Sequence, residues 1–297
     1  MGTLHVVATP IGNLEDITLR ALRVLSEAHR IYAEDTRRTR ILLDHHGIQA
    51  RSISLHSRNE EARIEEALEC LARGESLAIV SDAGTPLISD PGARLVAAAA
   101  DAGYRIESVP GPSAVLAALT ASGLRMHPFA FLGFLARRGG GRRRLLASYR
   151  ERPEALVVFE APHRVGETLK DLADALGGER RACLARELTK VHEEVVRGSL
   201  AELCHRFADG ARGEVTLVIE AQEGAELPKA DSLLDEAELG RRLTDLAGQG
   251  RRPREIAAIL APLSALPRRE LYARAVAERQ AMAPEDDLDD EPEAPAV

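Results

Sequence analysis

The 297-residue chain has no tryptophan, and aromatic residues make up only 3% of it. Cysteine and methionine are equally scarce, at three each. Cys70, Cys183 and Cys204 stand far apart without C-x-x-C spacing, which excludes a disulfide scaffold or a zinc ribbon and suits reduced thiols in a cytosol. Long apolar runs are missing too. The longest uncharged stretch, residues 108–124, is broken by Pro110, Gly111, Pro112 and Gly123, and it falls short of the roughly 20 apolar residues that span a bilayer. The opening residues Met1 to His5 lack the basic flank and apolar core of a secretory signal. A cytoplasmic protein with no membrane partner is the expectation.

What is present is a globular composition, with 45% apolar and 29% charged residues, enough for one or two domains with real cores. The net charge of −8 misleads about partners, because seven acids and no base fall in residues 281–297. Residues 121–220 are basic, with 17 basic against 14 acidic groups.

Short apolar strands alternate with amphipathic helices. Leu4-His5-Val6-Val7-Ala8 is a strand, followed by a loop at 9–13 and a helix; a second cycle runs through a helix at 64–71, a strand at 77–80, a loop at 81–91 and a helix at 93–102. Repeated β-loop-α units argue for an α/β protein with a largely parallel sheet. A change of character after residue 120 places a domain boundary there. Strands at 156–159, 181–185 and 215–220, with helices near 165–176 and 199–207, make residues 121–224 a second α/β domain. A polar link at 222–231 leads to a small helical module over 232–280, where Pro253 near a helix start suits a helix-turn-helix element. The acidic, proline-rich residues 284–297 read as a disordered tail.

Three loops share one design, a buried strand running into small residues and one polar group: Thr9-Pro10-Ile11-Gly12-Asn13, Ser81-Asp82-Ala83-Gly84-Thr85-Pro86 and Pro110-Gly111-Pro112-Ser113-Ala114. At the carboxyl ends of strands such loops let a ligand approach the backbone, and an acid there can hold ribose hydroxyls, so a nucleoside cofactor fits. None of them matches G-x-G-x-x-G or a Walker phosphate loop. No pair of histidines repeats a metal spacing on one helix face, and no metal is expected.

These loops, together with Ala33-Glu34-Asp35-Thr36-Arg37 and Ala185-Arg186-Glu187-Leu188-Thr189-Lys190, closely resemble the tetrapyrrole-methylase superfamily. Within it they resemble the branch that methylates a cytidine 2′-hydroxyl of bacterial small-subunit ribosomal RNA. The resemblance covers about residues 2–280. It implies a two-domain fold with S-adenosylmethionine in the cleft between the domains, usually in a homodimer. It places the cofactor against Pro10, Ile11, Gly12, Asp82, Thr85, Ser113 and Ala114 of the first domain, and near Phe159, Glu160 and Ala185 of the second. One stretch departs from the family pattern: Gly123-Leu124-Arg125-Met126-His127-Pro128-Phe129 has a base where the family has an acid.

Methyl transfer from a sulfonium is an in-line displacement, so alignment supplies much of the catalysis. A ribose hydroxyl is a weak nucleophile that gains from a base or a cation. Glu160, Glu187 and Lys190 are the catalytic candidates, with a surface salt bridge as the alternative reading of each. For RNA, Arg137, Arg138, Arg142, Arg143 and Arg144 surround a glycine run and form an arm shaped for phosphates, with Arg37, Arg38 and Arg40 as a second cluster and Arg164 at a helix start. The expected partner is ribosomal RNA or the assembled small subunit. The rivals are a corrin or porphyrin methylase of the same fold, which needs no arginine arm, and a non-catalytic ribosome-binding protein.

Overall fold

The computed structural model describes residues 2–56, 58–137, 140–222 and 234–281. Arg138, most of the polar link and the acidic tail therefore lie outside the described residues. The chain divides into two compact units, residues 1–225 and 226–297. No helix among the described residues is long and apolar enough to cross a membrane.

The larger unit contains two five-stranded sheets. The first is built from β1 (Thr3–Val7), β2 (Arg30–Ala33), β3 (Ser52–Ser54), β4 (Leu77–Val80) and β5 (Arg105–Val109), in the order β3-β2-β4-β1-β5. All its pairings are parallel. Its central strand β4 is buried on both faces, so Leu77-Ala78-Ile79-Val80 reads as a continuous apolar run. Helices α1 (Leu19–Glu27) and α2 (Thr36–His45) cover one face through Ala21, Val24, Leu25 and Leu43. Helices α3 (Glu60–Ala72) and α4 (Ala93–Asp101) cover the other through Ala67, Leu71, Leu95 and Ala99. The chain leaves β1 toward β2 and leaves its neighbour β4 toward β5, so the sheet has its topological switch point between these two strands. The crevice beyond their carboxyl ends is where open α/β sheets take ligands.

The second sheet joins β6 (Phe129–Phe134), β7 (Ala155–Glu160), β8 (Arg181–Arg186), β9 (Glu194–Ser199) and β10 (Val215–Ile219) in the order β6-β7-β10-β8-β9. Only β6 and β7 run parallel. One face packs on α6 (Gly140–Ala147), α7 (Val165–Leu176) and α8 (Leu200–Arg206) through Leu146, Leu169, Leu172 and Leu203. The other face packs on α5 (Ala114–Ser122), whose Val115, Ala118 and Leu119 meet Val157, Cys183 and Val218. Residue 120 lies within α5, a helix that packs on the second sheet. Sequence alone hid this because α5, Ala114-Val115-Leu116-Ala117-Ala118-Leu119-Thr120-Ala121-Ser122, is apolar nearly all round. Arg197 of β9 donates from Nε to the Ser122 carbonyl at 2.7 Å, capping the carboxyl end of α5 with a cation.

The atypical stretch after α5 is also tied to the second sheet. The Arg125 N–H donates to Glu220 Oε1 at 2.9 Å, and its guanidinium donates to the Ala221 carbonyl at 3.2 Å. The start of this stretch is thus held to the chain that leaves β10 by one backbone and one side-chain hydrogen bond.

In the smaller unit α9 (Glu236–Gly248), α10 (Pro253–Leu260) and α11 (Arg268–Ala281) bury Leu239, Leu243, Ile256, Leu260 and Leu271 together. Pro253 opens α10, where its missing N–H costs nothing, and Glu255 reaches back to accept the Arg252 N–H at 3.2 Å.

Candidate active site

The loops that follow β1 and β4 are joined across the switch point. Thr9 and Gly84 exchange both backbone hydrogen bonds, at 2.9 and 3.0 Å, and Thr85 Oγ1 donates to the Pro112 carbonyl at 3.3 Å, adding the loop that follows β5. The three glycine- and proline-rich loops therefore form one connected floor. Asp82 anchors a fourth segment: its Oδ1 accepts the Asp35 N–H at 2.9 Å, and its Oδ2 lies 3.6 Å from Arg38 Nε.

Across from this floor stand the ends of β7 and β10 and the loop after β8. The two sides make direct contact where Thr189 Oγ1 accepts the Asn13 N–H at 3.0 Å. Gly12 is required there, because a Cβ on it would fall 2.5 Å from Lys190 Cγ and 2.9 Å from the Leu188 carbonyl oxygen. Among the described residues, the non-glycine positions with left-handed backbone are Leu87, Ser89, Glu187 and Thr189, all in the loops after β4 and β8. Such conformations cost about 1–3 kcal/mol each and persist where surrounding contacts enforce them, a pattern that clusters at ligand sites.

Two adjoining cavities lie between the sides. The larger, of about 420 Å³, is walled by Ile11, Asp82, Ala83, Ile88, Ser89, Asp90, Ala114, Phe134, Phe159 and Thr216 among others. The smaller, of about 210 Å³, is walled by Pro10, Ile11, Gly12, Leu14, Arg38, Ile41, Asp82 and Lys190. They share Ile11, Arg38, Asp82, Ala83 and Glu214. Three of the five phenylalanines of the chain collect here. Phe131 and Phe134 pack on Phe159 with ring centroids 4.9 and 5.7 Å apart, and Phe134 remains 57% exposed at the edge of the larger cavity. A third cavity of about 700 Å³, lined by Phe134, Arg137, His163, Arg164 and Glu167 among others, adjoins through Phe134 and Ala161.

The sequence candidates separate on this geometry. Pro10, Ile11, Gly12, Asp82, Ala114, Phe159 and Glu160 line the cavities. Thr85, which bonds the Pro112 carbonyl, and Ser113, which precedes α5, do not line these two cavities, and Ala185 is fully buried within the core against α5. Glu160 closes the wall with a fully buried carboxylate, which accepts from the Ala161 N–H at 2.8 Å, pairs with Arg164 Nη1 at 3.3 Å and takes the Thr168 hydroxyl. With its oxygens so engaged, Glu160 is a structural anchor. Arg164 is held in turn, donating to the Leu135 carbonyl at 3.2 Å.

Glu187 and Lys190 form a cluster with Glu214. Lys190 Nζ donates to Glu187 at 2.9 Å and to Glu214 at 3.0 Å, and Glu187 also accepts the Glu214 N–H at 3.0 Å. Gly213 makes room for it, since a Cβ there would overlap the Glu187 carboxylate. The hydrogen bonds from Lys190 and from the Glu214 backbone hold the Glu187 carboxyl below its usual value. Burial alone would lower the Lys190 ammonium, but the two carboxylates outweigh it and raise it. Lys190 is therefore a fixed cation rather than a proton acceptor. An ammonium has three donors; two are taken by Glu187 and Glu214, which sets the direction of the third.

The arginines also divide. Arg37 is spent on Asp35, at 3.0 and 2.7 Å, a pairing that pushes the Asp35 carboxyl down to about 2. Arg40 is spent on Asp44, at 2.8 and 3.0 Å. Arg142, grouped with the RNA-facing arm on sequence grounds, points inward: it is 2% exposed, and its Nη2 lies 2.6 Å from Asp171 Oδ2 on α7. The contact is one of charge alone, since none of the three guanidinium nitrogens makes a hydrogen bond among the described residues, and the buried side chain is not available to phosphates. Arg137, Arg143 and Arg144 are exposed.

Sequence reasoning passed over Asp90 and Glu214. Both line the larger cavity, and burial, with the Asp82 charge adding to it, pushes the Asp90 carboxyl up. The density of Ser89-Asp90-Pro91-Gly92 was the available signal for Asp90; nothing local marks Glu214. Among the described residues no group of three or more His, Cys, Asp or Glu side chains stands close enough to hold a metal ion.

A parallel open sheet and a mixed sheet meeting over a cleft of strand-end loops define a class, and the chain belongs to the tetrapyrrole (corrin/porphyrin) methylase family, whose model matches residues 3–204. Closer relatives carry a more particular name. The chain is 44% identical over 274 residues to ribosomal RNA small subunit methyltransferase I of Xylella fastidiosa, covering 91% of this chain and 98% of that one. The protein of the same name from Escherichia coli O157:H7 is 44% identical over 237 residues, 78% of this chain and 82% of that one. Among solved structures, uroporphyrin-III C-methyltransferase from Thermus thermophilus superposes with a TM-score of 0.56 at 19% identity, over 74% of this chain and 97% of that one. Diphthine synthase superposes with a TM-score of 0.59 at 18% identity, over 74% and 90%. At these identities the solved structures speak for the fold.

Proposed function

We propose that this protein transfers a methyl group from S-adenosylmethionine to a cytidine 2′-hydroxyl in 16S ribosomal RNA of the small subunit, acting in the cytoplasm as a homodimer. The observation that carries the reading is the 44% identity, across 91% of the chain, to a ribosomal RNA small subunit methyltransferase I. The larger cavity suits the cofactor. Its volume falls within the roughly 300–1,000 Å³ of small-molecule sites, Phe134, Phe159 and Ile88 offer apolar walls to a purine, and Asp82 and Asp90 offer carboxylates to ribose hydroxyls.

Bound S-adenosylmethionine supplies an electrophilic methyl group on a sulfonium. This chain's residues orient and enclose the reaction. Ile11 and Ala83, shared by both cavities, give the junction an apolar wall. Lys190, held protonated on the wall of the smaller cavity, favours negative charge on the attacking oxygen as its proton departs. The hydroxyl proton then leaves to solvent before or as the methyl arrives, since Glu160 is fully engaged and Glu187 is a weakened base.

Asp82→Ala is expected to weaken binding of S-adenosylmethionine roughly tenfold to a hundredfold, the equivalent of one hydrogen bond to a charged group together with release of the Asp35 segment it holds. Titration calorimetry measures this, and unchanged affinity would remove Asp82 from the cofactor site. The function itself is tested by offering labelled S-adenosylmethionine with isolated small subunits, large subunits or uroporphyrinogen III. Label is expected on small subunits alone, whereas label on the tetrapyrrole alone would favour the small-molecule rival.

A further inference from the structure

We infer that the smaller cavity seats the ribose and one adjoining phosphate of the target nucleotide, with Arg38 as the phosphate anchor. The inference rests on the methyltransferase reading above and assigns its substrate side.

Three observations support it. The cavity opens into the larger one along a shared wall of Ile11, Arg38, Asp82, Ala83 and Glu214, so a ribose in the one presents its edge to a methyl donor in the other. Its charged lining is Arg38, Asp82, Lys190 and Glu214, and these groups are unequally committed. Lys190 is hydrogen-bonded to two carboxylates, whereas among the described residues Arg38 makes no hydrogen bond to a carboxylate and lies 3.6 Å from Asp82. Its side chain is 58% exposed. Thirdly, the two neighbouring arginines of α2 are each closed by an acid of their own helix or its cap, so three bases in four residues present a single guanidinium to the site. A planar guanidinium with free donors is suited to a phosphate. Leu14 and Ile41, the latter 62% exposed, form an apolar rim at the mouth, against which an unstacked base can rest.

The chemistry that fits is therefore a ribonucleotide lifted out of its stack: phosphate on Arg38, sugar hydroxyl toward Lys190 and the larger cavity, base at the Leu14–Ile41 rim. A duplex backbone pressed along α2 would instead use Arg37, Arg38 and Arg40 alike.

The test compares Arg38→Ala, Arg37→Ala and Arg40→Ala, using unmethylated small subunits as substrate and labelled S-adenosylmethionine as donor. Arg38→Ala is expected to raise the half-saturating subunit concentration about tenfold and to lessen the salt dependence of binding by about one phosphate contact, with cofactor affinity unchanged. Arg37→Ala and Arg40→Ala are expected to leave half-saturation within about twofold of the parent value, since their charges are already balanced. Arg38→Lys, which keeps the charge but not the fork, is expected to recover part of the loss. Equal effects from all three alanine variants would overturn the assignment in favour of a diffuse backbone contact. Loss of cofactor affinity in Arg38→Ala with subunit binding intact would overturn it by moving Arg38 to the cofactor. A parent enzyme that methylates no RNA would overturn the reading beneath it, and this one with it.

Discussion

Arg142→Ala is expected to lower the unfolding free energy of the α/β unit by about 3 kcal/mol, the low end of the cost of breaking a buried ion pair. The low end applies because Asp171 and Glu167 are 25% and 61% exposed, and water can take up the charge they are left with. The aliphatic stem of Arg142 also fills space beside Leu146, which the alanine would leave empty. For a unit of this size the loss corresponds to a melting temperature lower by about 8 °C. Scanning calorimetry measures it. Arg143 and Arg144, exposed on the same helix, should behave oppositely: changed together to alanine they should leave the melting temperature in place, weaken RNA binding, and reduce its salt slope by about two. An Arg142→Ala protein as stable as the parent, with RNA affinity reduced, would return Arg142 to the RNA-facing arm.

The second large effect falls on catalysis. Lys190→Met removes a preorganised donor while keeping the length of the side chain, and a drop of roughly 100-fold in single-turnover methyl transfer is expected, with cofactor affinity little changed. Lys190→Arg keeps a cation between Glu187 and Glu214 and should retain most of the rate. A general base would behave differently, since an arginine cannot accept the proton and both variants would be equally inactive. The pH profile gives a second reading. The Glu187 carboxyl is held below its ordinary 4.5, so its contribution is present above that value and is lost as pH falls through the lowered one. The Lys190 ammonium is raised above its ordinary 10.5, so its contribution is present below that value and is lost as pH rises through the raised one. Glu187 and Lys190 therefore both stay charged from pH 4.5 to 10.5, and a rate profile with an inflection near neutrality must report another group. An inflection that Lys190→Arg abolishes would contradict the fixed-cation assignment.

Much of this architecture was legible in the chain, and the failures have physical causes. The apolar runs at β4, β7, β8 and β10 are buried on both faces or nearly so, and they announce themselves. Three of the strands that sequence reading passed over are short or polar: Arg30-Ile31-Tyr32-Ala33 has four residues, Arg105-Ile106-Glu107-Ser108-Val109 lies at a sheet edge, and Glu194-Val195-Val196-Arg197-Gly198-Ser199 lies at another. The helix of the arginine arm was hidden by its glycine start. Within the site, the three strand-end loops were readable because their residue types are dictated by close backbone approach. Charge, by contrast, does not reveal direction. Arg142 and Arg143 are adjacent and identical in type, and only packing against α7 separates the buried one from the exposed one. The same limit applies to Arg37, Arg38 and Arg40, whose availability is decided by where Asp35, Asp44 and Asp82 fall in space.

The most direct measurement of the central claim is the chemical identity of the product. Small subunits from cells lacking this protein would be incubated with it and S-adenosylmethionine, and the 16S RNA digested to nucleosides for mass spectrometry. The account predicts one new nucleoside, 2′-O-methylcytidine, formed by the parent protein and strongly reduced by Lys190→Met. A methyl group on a base, or no methylated nucleoside from either subunits or naked RNA despite measurable cofactor binding, would contradict it.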